Sequence, residues 1–290
     1  MNENQESIRD NKRLEQLAIT SWEMEKHQQK LSKLDGSGVM SLRSHRGLQN
    51  EVERVRGVAK ASRSRIKIDE NSDEAILLIH GSTGSPSDLT QLTNYLSDKG
   101  YTVYSMLLPD HGVENVTLPT TRWKSCLHEV QTRYKILSQA VPRVHVIGFS
   151  FGASLAIHLA DKTKPASLTL LAPALHPKVS AFTRLMLTLG VHHLPMMRRW
   201  FGWNLEVLEA MEKARRKVGK LRMPIYGAHC ADDQRIDASS LRHLQRKARH
   251  RANRFRLFPD GGHMILQAHG RNGLNREILE FINGGKKGRN

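Results

Sequence analysis

An α/β fold, with a mostly parallel central sheet flanked by helices, follows from three features of the amino-acid sequence. Continuous apolar runs rich in Leu, Ile and Val alternate with helical patterns between residues 75 and 172. Such runs are buried on both faces of a parallel sheet, and helices must then cover both faces. One run, Val144 to Ile147, turns at once into Gly148-Phe149-Ser150-Phe151-Gly152 and a helical pattern from Ala153 to Ala160. No stretch approaches the roughly twenty apolar residues that a membrane span requires.

Residues 1–65 read as an N-terminal extension, helical or partly disordered, ahead of a main domain at 66–290. Leu14, Leu17, Leu31 and Leu34 share one helical face, Gly36-Ser37-Gly38 breaks it, and a second weak helix is expected over Leu48 to Val55. Docking on the main domain, disorder and a membrane-surface helix all fit so thin an apolar stripe. The first strand is expected at Ala75 to Ile79, followed by a loop, His80-Gly81-Ser82-Thr83-Gly84-Ser85-Pro86, and a helix over Ser87 to Lys99 that Gly100 stops. Tyr101 to Leu107 is the next strand, Trp123 to Ala140 a long helix, Arg143 to Ile147 the strand under the Gly-x-Ser-x-Gly corner, and Ser167 to Ala172 another buried strand. Between His176 and Arg222 no strand is expected. An apolar, Met- and Trp-bearing stretch and a basic helix stand there instead, which reads as a helical cap inserted at about 176–222 over the carboxyl ends of the strands. The strand from Pro224 to Gly227, a helix over Ser239 to Arg249, the strand Arg254 to Phe258 and a helix over Asn275 to Ile282 complete the chain.

Charge and cysteine usage narrow the setting. Lys and Arg number 45 against 28 Asp and Glu, a net charge of +17. Such an excess favours anionic surfaces, so peripheral contact with an anionic membrane is one expectation. Nucleic acid is not an expected partner. The Arg run from Arg242 to Arg256 is not interleaved with aromatic residues, and no nucleic-acid-binding module is present. Two distant cysteines, Cys126 and Cys230, fit a reduced, cytoplasmic setting rather than a disulfide framework. The first thirty residues are charged throughout, which does not fit a secretory leader. No metal site is expected: His192 and His193 are adjacent, so they point different ways on a helix, and no carboxylate flanks them at ligand spacing. No cofactor is expected either, because the sequence holds neither a dinucleotide fingerprint nor a P-loop. Oligomeric state is not encoded in any feature of the chain.

The strand-to-helix corner carries the chemistry. A sharp turn there strains the corner residue and holds its hydroxyl outward, and small neighbours two residues either side, here Gly148 and Gly152, let strand and helix approach closely. Ser150 is thus the candidate nucleophile. A serine hydroxyl needs a base, and the base needs an anion to fix its tautomer. His263 is the candidate base, in the turn Pro259-Asp260-Gly261-Gly262-His263 right after the last apolar strand. Asp232 and Asp233 both lie after the preceding strand; the spacing to Ile236 favours Asp233 as the acid. Asp237 reads as a helix N-cap. Two backbone N–H donors for an oxyanion are expected, from Phe151 after the nucleophile and from Ser82 in the first loop. The Phe151 ring is expected to narrow the pocket. His80 and His111 read as structural hydrogen-bonding groups.

Together these motifs resemble the α/β-hydrolase superfamily, and within it bacterial carboxylesterases and monoacylglycerol lipases. The loop from Ile79 to Pro86 looks like the family's oxyanion loop, Pro109-Asp110-His111-Gly112 like its Gly-His-Gly turn, and Gly148 to Gly152 like its nucleophile turn. Asp233 and His263 fall at the remaining triad positions. The resemblance covers about residues 70–285. Ser82 stands where the family has a bulky apolar residue and Phe151 where it has Met or Gln, which puts pocket size and polarity at issue.

The expected activity is therefore that of a serine esterase acting through an acyl-enzyme on Ser150, on an acyl ester or lipid held under the cap. A thioesterase or protein deacylase is the enzymatic alternative. A non-catalytic hydrolase-fold protein that binds anionic surfaces is the other.

Overall fold

The computed structural model of the chain describes residues 38–284, apart from 56, 113–121, 181–184, 186–188, 190–194 and 269–270. The expectations for Leu14, Leu17, Leu31, Leu34, His192 and His193 lie outside the described residues. Seven strands form one sheet in the order β1-β3-β2-β4-β5-β6-β7. They are β1 (Arg65–Lys67), β2 (Glu74–Ile79), β3 (Thr102–Met106), β4 (Arg143–Phe149), β5 (Ser167–Leu171), β6 (Ile225–Cys230) and β7 (Arg254–Phe258). Every pairing is parallel except β1 with β3. The three-residue β1 is too short to leave a periodic mark in the sequence.

The helices are α1 (Gly38–Val55), α2 (Thr90–Ser97), α3 (Trp123–Ala140), α4 (Phe151–Ala160), α5 (Pro195–Lys217), α6 (Ser239–Lys247) and α7 (Arg271–Gly284). They divide between the two faces of the sheet according to the alternation within the buried strands. Ala75, Leu77 and Ile79 of β2 join Val144 and Val146 of β4 in one core, covered by α1, α3, α4 and α5. Ile76, Leu78, Ile147 and Phe149 face the other side, under α2 and α7. β4 sits in the middle of the sheet, so its carboxyl end opens where both layers meet.

Two elements differ from their sequence reading. The helix expected over Leu48 to Val55 begins at Gly38 and is docked: Leu42 is fully buried in the main core. The expected cap is, over Leu205 to Lys217, a helix of the flanking layer. Ala210 and Ala214 are buried in the core, the Ala210 carbonyl lies 3.0 Å from His158 Nε2 on α4, and Glu206 accepts the backbone N–H of Trp123 at the start of α3 (3.0 Å). Small residues on this face let α5 lie close to α4, which a roof over the strand ends would not need. Met186 lies outside the described residues, and at Met196, Met197, Trp200 and Trp203 the structure describes the helical backbone and not the side chains. Among the described residues no helix is long and apolar enough to cross a membrane.

Candidate active site

The corner after β4 is built by contact distances that only glycine satisfies. A Cβ on Gly148 would stand 2.4 Å from the Gly152 carbonyl oxygen, and one on Gly152 would stand 2.2 Å from the Ile79 carbonyl oxygen. With both side chains absent, α4 starts directly against β2 and β4. Ser150 takes the strain, with φ 54° and ψ −117°, a conformation that L-residues adopt at a cost of order 1–3 kcal/mol. Its backbone is pinned by a hydrogen bond from Ser150 N to the Leu171 carbonyl (2.9 Å).

The side chains named from sequence converge there. Ser150 Oγ lies 2.9 Å from His263 Nε2, and His263 Nδ1 lies 2.8 Å from Asp233 Oδ2. Asp233 is 1% exposed. Its other oxygen accepts the N–H groups of Arg235 (2.8 Å) and Ile236 (3.0 Å). Burial pushes its carboxyl upward, but the His263 hydrogen bond and the two backbone donors outweigh it and hold the group below the ordinary Asp value. Asp232 points elsewhere: it accepts the N–H groups of Gly261 (3.2 Å) and Gly262 (2.8 Å) and so anchors the turn that carries His263. Asp237 accepts the Ser239 N–H (2.7 Å) at the start of α6.

Of the two expected backbone donors, Ser82 lines the cavity beside Ser150, and Phe151 follows Ser150 at the first position of α4. Gly81, Ser82, Phe149, Ser150 and His263 line a space of about 420 Å³. A Cβ on Gly81 would stand 3.4 Å from Ser150 Cβ, so the first loop passes directly over Ser150. His111 braces that loop: its ring nitrogens lie 2.8 Å from the Pro109 carbonyl and 2.7 Å from the Ser82 carbonyl. His80 accepts the Leu108 N–H on Nε2 (3.0 Å), which leaves Nδ1–H to donate to the Gly81 carbonyl (2.8 Å). Burial drives its imidazole down to about 3, so it is neutral.

Three features escaped the sequence reading. The Phe151 ring does not narrow the pocket; it is fully buried in the core under α4. The aromatic wall is Phe149, tilted against the His263 ring at 5.4 Å between centroids. The alternation of β4 settles this, because Phe149 shares its side with Ile147 whereas Phe151 already belongs to the helix. His229 is the second feature. It is fully buried on β6, donates from Nε2 to the Ile236 carbonyl (3.2 Å), and stands 3.6 Å from Asp233 Oδ2. Its signal is a histidine inside an apolar strand four residues before Asp233. Third, the described lining is polar. Ser62, Thr83, Ser85, Ser87, Asp88 and Arg235 outnumber Phe149 and Met264. Among the described residues no group of three or more His, Cys, Asp or Glu side chains could hold a metal ion.

A family model described as the alpha/beta hydrolase family matches residues 76–272. The chain belongs to the alpha/beta hydrolase family. Its relatives include esterases and lipases. The chain is 32% identical to a thermostable monoacylglycerol lipase of Bacillus sp. (strain H-257) over 92 residues, which cover 32% of the chain but only 37% of the lipase. It is 20% identical to a carboxylesterase of Bacillus subtilis (strain 168) over 73% of the chain and 94% of that protein. Among solved structures, a metagenome-derived lipolytic enzyme of the LipS and LipT study superposes with a TM-score of 0.69 at 14% identity, covering 78% of this chain and 99% of that one. A monoacylglycerol lipase of Paleococcus ferrophilus gives a TM-score of 0.62 at 16% identity, over 73% and 94% of the two chains. At these identities the structural likeness shows the fold alone.

Proposed function

We propose that the protein is a serine hydrolase of carboxylic esters that works through an acyl-enzyme on Ser150. The observation that carries this reading is the unbroken chain from Ser150 Oγ to His263 Nε2 (2.9 Å) and from His263 Nδ1 to Asp233 Oδ2 (2.8 Å). Ser150 Oγ attacks the ester carbonyl while His263 Nε2 takes its proton, and Asp233 stabilises the imidazolium through Nδ1–H. The N–H groups of Ser82 and Phe151 receive the developing oxyanion. When the tetrahedral intermediate collapses, the alcohol leaves with the proton from His263. Water then attacks the acyl-enzyme with His263 again as base, which releases the acid and restores Ser150. The kinship with proteins named carboxylesterase and monoacylglycerol lipase supports an oxygen ester over a thioester.

A fluorophosphonate probe tests the nucleophile. Labelling is expected on Ser150 of the folded protein and not on Ser150→Ala, and that variant should lose about 10³-fold or more in kcat/KM on a short 4-nitrophenyl ester. Folded, unlabelled wild-type protein would overturn the reading. Faster turnover of acyl-CoA than of the matched oxygen ester would move the assignment to a thioesterase.

A further inference from the structure

We infer that the ester this site takes carries an anionic group, a carboxylate or a phosphate, which Arg235 recognises. This rests on the serine-hydrolase reading of the same cavity. Arg235 lines the cavity together with Ser150 and His263. Its side chain is exposed, and no carboxylate among the described residues pairs with it. The backbone leaves it little choice of direction. Its N–H donates to Asp233 Oδ1 (2.8 Å), its carbonyl accepts from Lys178 N (2.9 Å), and the neighbouring pair Pro177 and Ile236 forms an antiparallel bridge. The segment after β5 therefore clamps 235–237 against the loop that holds the triad acid, and Arg235 is presented at the mouth.

The rest of the lining agrees with a polar ligand. Hydroxyls of Ser62, Ser82, Thr83, Ser85 and Ser87 surround the space. Asp88 is the acidic group of the lining, and its Oδ2 is engaged by the Ser85 N–H (3.1 Å) at the start of the Pro86–Leu89 turn. A second cation stands close by: Lys178 Nζ donates to the Asp233 carbonyl (2.6 Å). An exposed guanidinium at the cavity wall, with no carboxylate partner among the described residues, offers a fork of donors that matches a carboxylate or phosphate. The net charge of +17 adds a long-range attraction for such substrates.

Two matched pairs of esters test this. 4-Nitrophenyl hexanoate against the 4-nitrophenyl monoester of adipic acid places the charge on the acyl side. Monobutyrin against 1-butyryl-glycerol 3-phosphate places it on the alcohol side. In at least one pair the anionic member is expected to be favoured about tenfold in kcat/KM at low salt, as a charge-assisted contact at a partly exposed site would give. That ratio should fall toward one in Arg235→Gln, persist in Arg235→Lys, and shrink in 0.5 M salt, where screening is of order 3–4 Å. No anionic preference in either pair, or a preference that Arg235→Gln leaves intact, would overturn the inference. Fluorophosphonate labelling of Ser150 separates the outcomes. A labelled enzyme that ignores charge disproves anion recognition alone, whereas an unlabelled one removes the hydrolase reading with it.

Discussion

Neighbouring residues Asp232 and Asp233 have separate duties because β6 ends between two turns. Asp233 is buried, accepts two backbone N–H groups and meets His263 Nδ1. Asp232 is exposed and holds the glycine turn before His263. Asp233→Asn should therefore cost about 10³–10⁴-fold in kcat, since an amide can hold the ring in the wrong tautomer and cannot stabilise an imidazolium. Asp232→Asn keeps an oxygen acceptor for Gly262 N and should cost about tenfold or less, the scale of one partly exposed hydrogen bond. Steady-state kinetics of the two variants on one ester decides the assignment; a larger loss in Asp232→Asn than in Asp233→Asn would reverse it. The Phe149 and Phe151 pair teaches a similar lesson. Both flank Ser150 in sequence, yet the strand-to-helix change there sends one ring to His263 and the other into the core.

Helix α1 shows how an element can be weak in sequence and firm in place. Its apolar face is thin, so polar contacts share the docking. His45 Nε2 accepts from Arg133 on α3 (2.9 Å) and lies 3.2 Å from the Tyr104 hydroxyl on β3. Glu53 accepts both the N–H (2.7 Å) and the hydroxyl (2.6 Å) of Ser64, whose Oγ in turn accepts the Leu107 N–H (2.9 Å). Leu42 fills the core between them. We propose that α1 folds as part of the hydrolase unit. Leu42→Ala should then lower the stability of the whole protein by about 2–4 kcal/mol, read as a shift of a single cooperative urea transition. A loss of α1 helicity with an unchanged main transition would mark it as a separate appendage. Helix α5 is the converse case. Its apolar residues read as a lid, but from Leu205 onward they face α4 and the sheet.

For the whole molecule, buried neutral histidines set the acid limit. Burial drives His45 and His80 down to about 3 and His158 to about 4. In the unfolded chain each takes a proton near 6.5, whereas the folded protein refuses it until much lower pH. The unfolded state thus binds more protons between these values, and stability is full above about pH 6.5 and falls as pH drops toward 4. At pH 5 each ring should weaken folding by on the order of 1–2 kcal/mol. Asp233, held below its ordinary value, adds a loss of the same sign at still lower pH. Urea midpoints at pH 7.5, 6 and 5 should fall steadily, and a flat profile would mean that the rings titrate normally in the fold. Much of this molecule was legible in its linear order. Buried strands announce themselves by unbroken apolar runs, and the corner at Ser150 by glycines whose Cβ atoms would strike Ile79 and Gly152, because both are local requirements of backbone geometry. Chain order named Ser150 and His263 and narrowed the acid to Asp232 or Asp233, and the spacing to Ile236 favoured Asp233, which meets His263. What only the tertiary structure decided is where side chains point once distant segments meet: α5 against α4, Phe149 against the His263 ring, and Arg235 at the cavity through its clamp to Lys178. Those outcomes depend on contacts between residues far apart in the chain, and no periodicity records them.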